Sequence, residues 1–323
     1  MSPPGLEDLF DDITAPLTSG GRLPGFAGAT GWVNSEPLGE AELRGRVVLA
    51  DFCTYTCINW LRTLGYVRAW ADRYADHGLT VVGVHTPEFP FEADAENVRR
   101  ELAAMDVTYP VAIDSDYAIW NAFANRYWPA VYIADAHGRI RHHQFGEGGY
   151  GECERTIQRH LRDAGQEGVP DDLVSPADEG VEKQADWEDL RSPETYLNVR
   201  PPGRGRDDLE LNQWALIGDW RTGARASVLG AAGGAIAFRF HARDVNLVLG
   251  PGDRDAAPVP MRVTIDGRPP GESHGLDVDA AGEGEVRDQR LYQLVRRPGR
   301  GGDATFEVAF DAPGVEAYVF TFG

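Results

Sequence analysis

The sequence predicts two domains: an α/β domain with strands and helices in alternation, then an all-β sandwich of jelly-roll type. Three observations predict this. From residue 46 to 165, short apolar runs alternate with segments of helical periodicity, the order that builds an open sheet with helices on both faces. From about residue 208 the chain becomes a succession of short strand-like runs punctuated by Gly, Pro and Asp-Gly, as in sandwiches. Its 323 residues exceed what one compact core usually holds. The expected divisions are an N-terminal extension over 1–22, the α/β domain over 23–165, a linker over 166–207 and the sandwich over 208–323.

Each element has its own signal. RVVLADF reads as a strand buried on both faces, because it is β-branched and does not alternate. A helix opens at Cys57 or Ile58 and carries Ile58, Leu61, Leu64, Val67, Ala71 and Tyr74 at near-helical spacing; His77-Gly78 is its stop. LTVVGVH is the next buried strand and AENVRRELAAM the next helix. PVAID and AIWNAFA give a short strand and a helix. PAVYIAD and RIRHHQF flank AHG, a turn between hairpin strands, and ECERTIQRHLRDAG closes the domain as a helix. This order predicts a mainly parallel sheet. The stretch 166–207 reads as linker, with a short ordered segment around Trp187 to Leu197. AIAFRFHA, VNLVLG, MRVTIDG, RLYQLV, TFEVAF and AYVFTF are the sandwich strands.

Bulk properties exclude some functions. A formal charge of −20 opposes nucleic-acid binding, which needs clustered cations. No stretch approaches the roughly 18 apolar residues of a membrane span, and the acidic start MSPPGLEDLFDDITAPLTSG lacks the cationic and apolar parts of a leader. A cytoplasmic location is the expectation. Three cysteines are too few for a secreted disulfide framework.

Two of those cysteines lie in FCTYTCINW. A strand ending at Phe52 and a helix starting near Cys57 put the Cys57 thiol at a helix N-terminus, where unpaired N–H groups and the macrodipole favour the thiolate. That is also the end of the sheet where open α/β folds build their sites.

GRVVLADFCTYTCINWLRTL resembles the thioredoxin-like family, in its branch of TlpA-type and peroxiredoxin-type redoxins. VVGVHTPEFPFE, YPVAIDSDYAIWNAF, YWPAVYIADAHGRIRHHQFGEG, SPETYL, RLYQLV and GVEAYVFTFG extend the likeness to the soluble redoxin and β-sandwich part of DipZ-type thiol:disulfide interchange proteins. The resemblance implies a thioredoxin-like domain followed by a carbohydrate-binding-module-like sandwich. It implies that Cys57 is the attacking cysteine, that Asp51 is the buried aspartate that shuttles the second cysteine's proton, and that Pro129, after Trp128, is a cis-proline facing the site. Gly65 stands where a helix-kinking proline is common. Two departures matter more. Trp60 replaces the second, resolving cysteine, so Asp51 loses its usual client. Cys53 replaces the tryptophan that follows Asp-Phe.

The C-x-x-W arrangement leaves several readings open. Cys53 and Cys57 pair if the Thr54-Tyr55-Thr56 segment curls enough to bring their Cα atoms together. Cys153, after the Gly146-Glu147-Gly148-Gly149 loop, is a second candidate resolving thiol. Cys57 alone can form mixed disulfides or reduce peroxide through a sulfenic acid; Thr54 sits at the T-x-x-C spacing that peroxiredoxins use to orient peroxide, but Ala50 stands where their proline is expected. C-x-x-x-C on this fold also resembles copper-carrying Sco proteins, without the histidine expected near Trp128-Pro129.

His85, Thr86 and Glu88 should share the rim with Cys57, where His85 could hold a thiolate by charge or act as acid or base. Trp60, Tyr55, Tyr127 and Trp128 suggest an apolar or peptide groove. Asp114-Ser115-Asp116 reads as a solvated turn. His142-His143 on an alternating strand should point to opposite faces. Trp214, Trp220 and Tyr292 are candidates either for stacking on sugar or for packing.

The sequence therefore points to a thiol-dependent redox protein with Cys57 as nucleophile, supported by Cys53, Asp51 and Thr54. Trp60, Trp128, Pro129, Tyr55 and His85 form the expected substrate face. Its partner would be a disulfide or thiol, of low molecular weight or on a protein, or a peroxide in an antioxidant role. No cofactor or metal is expected, and a homo-oligomer is compatible with it. The competing reading is a non-catalytic thioredoxin-fold scaffold.

Overall fold

A computed structural model describes residues 20–203, 205–253, 256–299 and 301–323. The chain divides into two compact units, Met1–Ala177 and Asp178–Gly323.

The first unit is built on a six-stranded sheet in the order β1-β4-β3-β2-β5-β6. Its strands are β1 (Gly31–Val33), β2 (Val47–Cys53), β3 (Leu79–His85), β4 (Val111–Ile113), β5 (Ala130–Ala134) and β6 (Ile140–Phe145). Its helices are α1 (Glu40–Leu43), α2 (Ile58–Tyr74), α3 (Ala95–Ala104), α4 (Ala118–Ala122) and α5 (Tyr150–Asp163). All seven residues of β2 are buried, as its unbroken apolar run requires. The sheet is mixed, which corrects the expectation of a mainly parallel one. β2, β3 and β4 run parallel, whereas β1 opposes β4, β5 opposes β2 and β6 opposes β5. The connection from β4 to β5 carries the five-residue α4 and delivers the chain into β5 antiparallel to β2. α2 ends at Tyr74, and Gly78 takes the left-handed φ of +93° that turns the chain into β3.

Alternation along β2 sets the site. Val48, Ala50 and Phe52 enter one core with Phe26, Val84, Phe123 and Tyr132. Asp51 and Cys53 point to the other face, and Asp51 there meets Trp60 of α2.

The predicted N-terminal extension 1–22 lies largely outside the described residues, but Gly20–Leu23 already bonds along Gly138–Ile140. The stretch 166–207 is shared between the units. Within the first, Glu154 on α5 accepts the Val174 amide and Gln158 reaches the Asp172 carbonyl. Within the second, Arg296 bonds the Gly180 carbonyl and Arg243 that of Gln184.

The second unit is an antiparallel sandwich. One sheet runs β15-β12-β17-β10-β9 with β7 (Thr195–Tyr196) also on β17, and the other β14-β13-β16-β11-β8. These are β8 (Trp214–Ile217), β9 (Trp220–Thr222), β10 (Ser227–Leu229), β11 (Gly234–Ala242), β12 (Asp244–Pro251), β13 (Val259–Ile265), β14 (Glu283–Val286), β15 (Arg290–Arg296), β16 (Gly302–Phe310) and β17 (Val315–Phe322). Phe238, Phe240, Phe306, Phe320 and Phe322 interlock between the sheets. Trp214 and Tyr292 belong to this core, while Trp220 packs on Phe310 and donates to the Ile217 carbonyl. The three aromatics pack; they do not form a stacking platform.

Candidate active site

Cys57 is the N-cap residue of α2, a helix of 17 residues with no acid in its first turn. The amides that follow it have no intrahelical acceptor, so the helix end favours negative charge at this position. A turn precedes it, closed by the Cys57 amide on the Thr54 carbonyl at 3.1 Å. Cys57 is partly exposed, and its sulfur lies 3.8 Å from the Trp128 carbonyl oxygen. Trp128–Pro129 is a cis peptide bond. The Trp128 ring lies against Trp120 at 4.2 Å, tilted by 34°, and donates its indole N–H to the Thr86 carbonyl at 3.1 Å.

The other two thiols differ. Cys53 is buried at the end of β2, and burial followed by the Asp51 charge pushes its pKa far up. Cys153 is buried in α5, where burial pushes its pKa to about 12. A buried thiol held protonated is a poor nucleophile, so neither matches the accessibility of Cys57.

Trp60 fills the position three past Cys57, and the structure shows what it does. Its indole N–H donates to Asp51 Oδ2 at 2.9 Å, both groups being fully buried. Burial raises the Asp51 carboxyl to about 6, against the Trp60 hydrogen bond that lowers it. Asp51, without its usual client, thus has the Trp60 indole as its hydrogen-bond partner.

His85 pairs with Cys53 across β2 and β3, is fully buried and stacks on Tyr55 at 5.5 Å. Desolvation lowers its pKa to about 3. A neutral imidazole cannot hold a thiolate by charge, so that expected role is withdrawn. Tyr55 is a packed core ring rather than a groove wall. Thr54 is also fully buried, with its hydroxyl on the Glu92 side, so it is not placed to orient peroxide at the surface. Trp128 and the half-exposed Tyr127 remain accessible.

Several residues were missed by sequence reasoning. Glu92 is fully buried and accepts from Thr56 Oγ1 at 2.6 Å and from the Glu88 and Phe89 amides at 2.7 and 2.8 Å. A lone acid in the apolar run FPFEA was the available signal. Tyr109 lies beside Asp51. Asp114 is buried rather than solvated. It accepts the Ile119 and Trp120 amides at the start of α4 and the Thr86 hydroxyl. His142 and His143 do face opposite ways, toward Glu152 and toward Phe145.

Comparison with known proteins fits this geometry. Residues 204–323 match the family model "Thioredoxin like C-terminal domain". Protein DipZ of Mycobacterium tuberculosis is 38% identical over 257 residues, covering 74% of this chain and 36% of DipZ. This chain therefore spans about a third of that relative's length. The thiol-disulfide oxidoreductase YkuV of Bacillus subtilis is 32% identical over 139 residues, 43% of this chain and 93% of YkuV. The chain belongs to the thioredoxin-like, thiol-disulfide oxidoreductase family. A solved thioredoxin-like protein in the oxidized form is 32% identical, with 45% of this chain and 97% of that one covered at a TM-score of 0.41. In this chain the position three past Cys57 is taken by Trp60, held on Asp51.

Proposed function

We propose that the chain is a thiol-disulfide oxidoreductase that works through one sulfur, Cys57 Sγ. The observation that carries this reading is the contrast in exposure. Among the three cysteines only Cys57 combines solvent access with a helix N-terminus, while Cys53 and Cys153 are buried and held protonated.

In the forward step the Cys57 thiolate attacks one sulfur of a substrate disulfide. A new Sγ–S bond forms, the substrate S–S bond breaks, and the leaving thiolate takes a proton from solvent. No sulfur stands at position 60 to release this mixed disulfide, so an external thiol does so. Its thiolate attacks the substrate-derived sulfur, which regenerates Cys57 and leaves a mixed disulfide of external thiol and substrate; a second external thiolate attacks the external sulfur of that disulfide and frees the second substrate thiol. Two external thiols become a disulfide as one substrate disulfide becomes two thiols. The Trp128 carbonyl and the exposed Tyr127 edge the face where the substrate would lie.

Turnover of a model aromatic disulfide with dithiothreitol tests this, comparing wild type with single Ser substitutions. Cys57→Ser should abolish turnover above background, and Cys153→Ser should stay within about twofold of wild type, since its sulfur takes no part. Intact mass after mild oxidation should show an adduct on Cys57. Turnover that survives Cys57→Ser, or a Cys57–Cys153 link, would refute the single-sulfur reading.

A further inference from the structure

The loop between β3 and α3, residues 86–94, touches both flanks of Cys57. On one flank the Thr86 amide donates to the Cys53 carbonyl at 3.0 Å, and the Thr86 carbonyl accepts the Trp128 indole N–H. Trp128 in turn presents its own carbonyl to the Cys57 sulfur at 3.8 Å. On the other flank the carboxylate of Glu92 spans the gap to Thr56, the residue just before the nucleophile. Oε1 accepts the Thr56 hydroxyl at 2.6 Å, and Oε2 accepts the Glu88 and Phe89 amides at 2.7 and 2.8 Å.

We propose that Glu92 is a positioning residue for Cys57: its carboxylate latches the turn that presents the sulfur onto the 86–94 loop. This rests on the reading of Cys57 as the reacting atom. Glu92 does not touch substrate and acts only through Thr56. Three donors meet its two oxygens, so the contacts call for the ionised form. Burial opposes that form and raises the carboxyl pKa, which the hydrogen bonds counter. Holding a loop of the chain in place would need only the Glu88 and Phe89 amide bonds. The short bond to Thr56 is an additional link, and it crosses from one loop to the other. Tyr55 adds an apolar seam beside it, against His85 and Phe91 at 5.5 and 6.1 Å. The turn of residues 54–57 is thereby fixed against both the end of β3 and the following loop. Free rotation of that turn would move the sulfur away from the α2 amides that favour its thiolate.

The test separates the latch from mere loop stability. Thr56→Val removes the hydroxyl with almost no change of shape. Thr56→Ser restores it. Glu92→Asp keeps the charge but is one methylene too short to span both loops. For each, the alkylation of Cys57 by iodoacetamide is followed by peptide mass spectrometry from pH 5 to 10, and exchange with a model disulfide is timed. Thr56→Val and Glu92→Asp should slow exchange about tenfold, equal to about 1.4 kcal/mol. Their Cys57 titration midpoints should move up toward the roughly 8.5 of an unstructured thiol. Thr56→Ser should stay within about twofold of wild type by both measures. Circular dichroism checks the fold of each variant. Folded Thr56→Val and Glu92→Asp with wild-type exchange and an unmoved midpoint would overturn the latch. Turnover that survives Cys57→Ser would instead overturn the assignment of the reacting sulfur, and it is read in a different variant.

Discussion

Replacing Asp51 with Asn removes a negative charge from the centre of the first unit and leaves its shape in place. The amide oxygen can keep the Trp60 indole N–H, now 2.9 Å from Oδ2. The wild-type carboxyl titrates near 6 when folded, against 3.8 as the unperturbed value, chiefly because burial disfavours the charge. A folded pKa above the unfolded one means the native state holds the proton more tightly. The stability this gives is fully present below about pH 3.8 and is lost as pH rises through about 6. At 1.36 kcal/mol per pH unit, the loss is about 3 kcal/mol by pH 8. Asn carries no such loss. Asp51→Asn should therefore stabilise the first unit by about 2–3 kcal/mol at pH 8 and by almost nothing at pH 4. In a unit of this size that raises Tm by about 5–10 °C. Urea unfolding followed by tryptophan fluorescence at the two pH values, with an unchanged m value, is the assay. An advantage equal at both pH values, or a less stable variant at pH 8, would refute the claim that a buried charge at Asp51 governs the difference.

Two further predictions concern other ion pairs. Arg62 and Glu147 form an ion pair at 3.1 Å with side chains 1% and 7% exposed, and burial raises the Glu147 pKa even so. Arg62→Met should cost about 3–5 kcal/mol by leaving Glu147 buried without its cation, and adding Glu147→Gln should recover at least half; strict additivity in the double-mutant cycle would contradict this. In the second unit, His241 Nδ1 lies 2.6 Å from Asp303 and Nε2 lies 3.1 Å from Asp189, contacts that raise its pKa above 6.5. Their contribution is complete below pH 6.5 and disappears as pH rises through the folded value. The thermal-stability gap between wild type and His241→Gln should thus be wide at pH 6 and narrow at pH 9, and a gap that does not change with pH would show that protonation of His241 is not involved.

Strand and helix identities were legible wherever a run was long and one-sided. VVLADF has no polar alternation except Asp51, and α2 repeats its apolar residues at helical spacing. Strand direction was not legible. It depends on where the connection over 114–129 delivers the chain, and its one helix, α4, starts on Asp114, whose carboxylate receives two amides there. β1 is three residues long and gives no periodic signal. Asp114-Ser115-Asp116 looks like a turn locally, and nothing nearby in sequence announces that Thr86, 28 positions earlier, will bond Asp114. The same blindness to distant partners hid Glu92, whose bond to Thr56 joins residues 36 apart.

Trp60 shows how far a motif read by position can carry. The spacing marks residue 60 as the place of a second sulfur, and the missing cysteine leaves Asp51 without a thiol to serve. What the spacing does not show is that an indole can occupy the same hydrogen-bond position. A buried carboxylate needs a donor, and the indole N–H is one. The substitution is not chemically neutral, however. A thiol can give up its proton to the carboxylate, whereas an indole is a donor that stays protonated. Proton transfer between residues 51 and 60 is therefore closed in this chain. The Asp51 equilibrium near pH 6 is left to act on the stability of the unit, with no disulfide between positions 57 and 60 for it to control. On this account Asp51→Asn, which stabilises the fold at pH 8, should leave the first attack by Cys57 on a disulfide substantially intact.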